Sequence, residues 1–88
     1  MLNKIPTSKN FRKILKSILE DAQKKGEEFI DIKSGDLHRK VGGYPKHNHR
    51  MPLCCTVMKN EMKPEDEILK TPPSGYGANL IIRFRLPR

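Results

Sequence analysis

The spacing of apolar residues changes along this chain, and that change limits the fold more than any other feature. Phe11, Ile14, Leu15, Ile18, Leu19 and Ala22 recur three and four apart, the repeat of a helix with one apolar stripe. Leu80, Ile82, Phe84 and Leu86 recur two apart, with Ile81, Arg83 and Arg85 between them, the repeat of a half-buried strand. A chain that carries both periods belongs to the α+β class.

The punctuation residues divide what lies between. Ser8 is the expected cap of the first helix, and Gly26 its stop after Lys24-Lys25, whose charge suits a helix C-terminus. Phe29 to Ile32 reads as a short strand. Ser34 is expected to cap a brief helix ending near Val41, anchored through Leu37 and Val41. Gly42-Gly43-Tyr44-Pro45 breaks that helix, and the turn continues through Lys46 and His47. A third helix is expected from Asn48 as cap to about Lys63, with Pro52 tolerated in its first turn and Pro64 beyond its end. Its packed face is Cys54, Val57 and Met58, bordered by Leu53 and Met62. His49, Pro52, Thr56, Lys59, Asn60 and Lys63 project to the opposite side. Glu67 to Thr71 reads as a strand that pairs with Leu80 to Leu86 as a hairpin. Pro72 to Ala78 forms its loop, where Gly75 and Gly77 are expected to take positive φ.

Eighty-eight residues provide for one domain, 1–88, with residues 1–7 expected as a flexible leader. A core this small leaves no room for a large enclosed pocket. No apolar run approaches the roughly 20 residues that span a bilayer, and no signal-peptide pattern is present, so a cytoplasmic, DNA-associated protein with no membrane role is expected. Cys54 and Cys55 are adjacent, which suits packing and not a disulfide framework or a zinc site; no metal and no cofactor are expected. His47-Asn48-His49 is too compact to form a nuclease metal centre, and His38, His47 and His49 read as neutral, exposed side chains. No nucleophile–base pair can be assembled from the remaining residues, so the chain is not expected to be an enzyme.

Charge carries the functional signal. The chain has 18 Lys and Arg against 10 Asp and Glu, a net +8, which favours polyanions. From Leu37 to Asn60 there is no carboxylate, while Arg39, Lys40, Lys46, Arg50 and Lys59 are present. With the short helix, the turn and the longer helix in that window, the order helix, strand, helix, turn, helix, hairpin resembles the winged helix-turn-helix family over about Ser8 to Leu86. The resemblance implies three helices, a short first strand and a C-terminal β-hairpin wing. It implies that Asn48 to Lys63 enters the DNA major groove and that Pro72 to Asn79 acts as the wing. The connection from Gly42 to His47 is longer than the tight turn of the simplest helix-turn-helix proteins.

The residues expected to meet double-stranded DNA are Lys33, Arg39, Lys40, Lys46 and Arg50 at phosphates, and His49, Thr56, Lys59 and Asn60 on the reading face. Lys and Arg release counterions from phosphates, whereas Asn suits adenine, Lys guanine, and Thr base edges or a thymine methyl. Tyr76 and Asn79 are expected in the wing, although Tyr44 and Tyr76 read equally as part-buried packing groups. RNA is the alternative ligand, and a protein-interaction adaptor the alternative role. A homodimer would meet two half-sites, with the first helix or the Met62–Ile68 region as its interface.

Overall fold

The apolar stripe near the N-terminus forms α1, Ser8–Lys24, with Phe11, Leu15, Leu19 and Ala22 buried. The structure is a computed structural model and describes residues 6–42 and 50–88. Thr7, not Ser8, caps α1. Thr7 Oγ1 accepts the Asn10 N–H at 3.3 Å, and Asn10 Oδ1 accepts the Thr7 N–H at 3.0 Å. This reciprocal box satisfies donors that a lone cap would leave open. Gly26 follows the helix at φ 83°, as its expected stop requires.

The chain continues as β1 (Phe29–Lys33), α2 (Ser34–Val41), α3 (Met51–Glu61), β2 (Glu67–Lys70) and β3 (Ile81–Arg85). Three helices accompany a three-stranded antiparallel sheet of order β1-β3-β2. Ile32 lies opposite Ile82, and Asp31 opposite Arg83. β2 and β3 form the expected hairpin, with an irregularity between Ile68 and Lys70 that shortens the ladder. Leu80 and Leu86 fall just outside β3, yet both are buried, so the alternation expected for that strand holds in its side chains. One core joins Phe11 and Leu15 of α1, Leu37 of α2, Cys54 and Met58 of α3, and Ile82 and Phe84 of β3. α1 packs against both α2 and α3.

α3 is shorter than expected at both ends. Met51 and Pro52 form its first turn, with Arg50 at the N-cap and no side chain capping it; Asn48 lies outside the described residues. At the other end Met62 is extended (ψ 142°). The Lys63 N–H is donated to Asp66 at 2.8 Å, closing a turn through Pro64 and Glu65.

Asp66 ties that turn to the C-terminal strand. Its side chain is fully buried, that of Arg88 10% exposed, and the two pair at 2.8 Å. Besides Lys63, Asp66 accepts the Arg85 N–H at 2.7 Å, while Arg88 also donates to the Glu61 carbonyl at 2.6 Å. Burial pushes the Asp66 carboxyl up, but the N–H groups of Arg85 and Lys63 and the Arg88 guanidinium outweigh it and hold the group below the usual carboxylate range. On the outer sheet face Arg83 forks onto both oxygens of Asp31 at 2.8 and 3.1 Å and lies 4.0 Å over the Phe29 ring.

Asp66→Ala strands a buried guanidinium and two backbone donors, so a loss of about 3–5 kcal/mol is expected in urea unfolding. A lowered carboxyl contributes stability that is present above the unfolded value near pH 4 and is lost as pH falls through the folded one. Asp66→Asn should therefore flatten the acid limb of the stability–pH curve.

Candidate functional site

The hairpin loop, residues 72–79, folds back onto the start of α2 and the middle of α3. The Ser34 hydroxyl donates to the Gly77 carbonyl at 2.7 Å, and the Cys55 thiol reaches the same oxygen at 3.3 Å. Backbone bonds run from Ser34 N–H to Leu80 O (2.8 Å) and from Gly35 N–H to Ala78 O (3.0 Å). Lys59 Nζ donates to Gly75 O at 2.9 Å and stands 4.4 Å from the Tyr76 ring centre.

These contacts explain local sequence choices. Ser34 was expected as the α2 cap, but Lys33 occupies that position without a capping side chain. Ser34 is the first helical residue and fully buried, because its hydroxyl holds the loop. A Cβ on Gly35 would stand 3.1 Å from Ala78 O and 3.2 Å from Ala78 Cβ, so the residue is small to admit the loop. Gly75 takes positive φ, 81°, as expected, whereas Gly77 does not. Gly77 is needed for space instead, since a Cβ there would meet the Pro72 ring at 3.1 Å.

The expected contact residues divide into groups. Thr56 and Asn60 are exposed on α3, with Lys59 half-buried beside them. The Thr56 hydroxyl donates to Pro52 O at 2.9 Å, which leaves its oxygen able to accept. Tyr76 is 45% exposed and joins this group through Lys59. Lys33 adjoins it through Ser34, and Asn79 is exposed in the same loop. At the other end of α3, Arg50 is exposed, and Arg39 in the last turn of α2 pairs with Asp36 at 3.2 Å. Lys40 instead lines a groove of about 440 Å³ with Ile18, Asp21, Phe29 and Asp31, between α1 and β1. Lys46 and His49, with Tyr44 and His47, lie outside the described residues.

His38 departs from its expected exposure. It is wholly buried, edge-on to Phe11 with ring centres 4.8 Å apart. Its Nε2 accepts the Arg50 N–H at 2.7 Å, so in this arrangement Nε2 carries no proton. The side chain of α2 thereby fixes the start of α3. The signal was the spacing Ser34, Leu37, His38, Val41, which puts His38 in the apolar stripe of α2. Ser34, Gly35 and Cys55 were also missed as site-building residues; only the pairing of a serine with a glycine at a helix start hinted at a close approach.

Both thiols are buried. Burial pushes Cys54 up to about 12, with the neighbouring Cys55 adding to the effect, and it raises Cys55 despite the Ser34 bond and the Lys59 charge. Such thiols pack and do not react. Among the described residues, no three His, Cys, Asp or Glu gather as metal ligands, and no helix is long and apolar enough to cross a membrane. The chain matches no protein-family model, no curated protein and no solved structure.

Gly35→Ala should cost about 1–3 kcal/mol through overpacking against Ala78, measured by denaturant midpoint. At pH 8 a thiol reagent should label Cys54 and Cys55 of the folded chain only as fast as the chain opens, and fast labelling without denaturant would show that the seam is not closed.

Proposed function

We propose that this chain is a winged-helix module that binds double-stranded DNA through α3 and the hairpin loop. The observation that carries the reading is a solvent face on α3, Thr56 and Asn60, joined through Lys59 to Gly75 and Tyr76 in a stretch that has no carboxylate from Leu37 to Asn60. Element order α1-β1-α2-α3-β2-β3 with sheet order β1-β3-β2 agrees with that family's architecture and supports the reading.

In this arrangement Arg50, Arg39 and Lys33 neutralise phosphates and supply affinity that does not depend on sequence. Asn60 and Thr56 read base edges in the major groove, and Tyr76 with Asn79 meets the backbone or minor groove from the wing. The adaptor reading has one observation in its favour: Ile68 and Leu69 are 43% and 42% exposed on the edge strand β2.

The deciding experiment is selection and sequencing from a random duplex pool at low and near-physiological salt. A short motif that survives the higher salt is expected. Binding that vanishes with salt and enriches nothing would reduce the interaction to nonspecific attraction, and RNA and protein partners would then be tested with the same surface. Arg50→Ala should weaken all sequences alike and reduce the salt slope by about one, whereas Asn60→Ala should relax one base position by about 1–3 kcal/mol.

A further inference from the structure

We infer that Lys59 is a positioning residue: it locks the wing loop onto α3 in the free protein, and its charge is held inside the chain instead of being offered to a phosphate or base. The inference rests on the DNA reading for what the wing does, but the lock itself is a property of the unbound chain.

Lys59 reaches the wing twice, at the Gly75 carbonyl at 2.9 Å and over the face of Tyr76 at 4.4 Å. Gly75 takes positive φ of 81°, and a Cβ on it would sit 3.5 Å from the Lys59 ammonium. That Cβ would be in ordinary contact, so it is the positive φ that calls for glycine here, and the turn so formed aims its carbonyl at the α3 side chain. A lysine ammonium has three donors; one is on Gly75, and the Tyr76 ring covers a further side through its quadrupole. The residue that follows this contact is already fixed, since Gly77 O holds the Ser34 hydroxyl and the Cys55 thiol. Gly75 and Tyr76 form the outer turn of the loop and, among the described residues, hydrogen-bond outside that turn only to Lys59 of α3.

The two roles differ in what they do to salt dependence. A lysine on a phosphate contributes about 0.9 to the slope of log affinity against log salt. A lysine on a base changes preference at one position. A lysine that orders the wing before binding changes affinity for every sequence and leaves both the slope and the preference alone, because its loss makes the complex order the loop on binding.

The test uses the full chain and Lys59→Met, which keeps the apolar stem and a good helix former, with Lys59→Arg as the conservative rescue. In the free protein, backbone order parameters at Gly75, Tyr76 and Gly77 should fall from the rigid range near 0.85 to below about 0.6 in Lys59→Met, with the urea midpoint little changed. Lys59→Arg should restore them, since a guanidinium also donates to Gly75 and stacks on Tyr76. On duplex DNA, Lys59→Met should lose roughly tenfold in affinity for all sequences, the cost of ordering one or two more side chains on binding, with the salt slope unchanged. An unchanged loop in Lys59→Met overturns the inference, as does a slope reduced by about one or a relaxed base position. If the loop loosens but the wild-type chain binds no DNA, the lock stands and the DNA reading falls.

Discussion

The Gly77 carbonyl is the point on which the site depends. A loop of Pro, Ser and Gly residues has few side chains with which to hold itself, and its backbone groups must find partners. Here one carbonyl takes the Ser34 hydroxyl and the Cys55 thiol, so α2, α3 and the hairpin converge on a single oxygen. The neighbouring bond from Gly35 to Ala78 requires the backbones to approach closely, which is possible only because Gly35 has no side chain. The hairpin loop is thus part of the helical layer and not an appendage of the sheet. Anything that binds α3 near Lys59 meets the loop as well.

A second anchor holds the opposite end of the hairpin. Asp66 collects the turn after α3, the backbone of β3 and the Arg88 guanidinium. A buried carboxylate with that many donors is costly to desolvate and more costly to leave half-paired. Its value is positional: it fixes where α3 stops and where β2 starts. With His38 fixing the first residue of the same helix through the Arg50 N–H, α3 is set at both ends by side chains from other elements. That compensates for a helix with no side-chain cap of its own.

The elements that were legible in the sequence are those with a long period. Phe11 to Ala22 and Leu80 to Leu86 show the buried faces expected of them, because burial against one core enforces a single repeat over many residues. Boundaries were less legible, since they are decided by local competition for donors. Thr7 displaced Ser8 because Asn10 could answer it, and α3 ended early because Asp66 took the Lys63 N–H. The site was legible in charge but not in construction. The exposure of Thr56 and Asn60 follows from helical projection, whereas the roles of Ser34, Gly35 and His38 depend on residues forty or more positions away or on a neighbouring helix. Chain distance hides such contacts from any reading of local pattern.

Charge along α3 gives the proposed complex a direction. Arg50 stands at the N-cap and Glu61 is the last helical residue, with Glu65, Asp66 and Glu67 close behind in sequence. The helix dipole adds partial positive charge at the Arg50 end and partial negative charge at the other. At the C-terminal end the side chains balance, since Lys59 and Lys63 stand beside Glu61 and Glu65 and Asp66 is paired with Arg88, so the direction comes from Arg50 and the backbone at the N-terminal end. The net charge of +8 describes neither end. On the proposed reading α3 meets the groove with its first two turns, Thr56 faces the bases most directly, and Asn60 marks the limit of reach. The wing, held beside Lys59, then lies away from the positive end of the helix, which suits contacts made by the Tyr76 ring and backbone amides more than contacts made by charge.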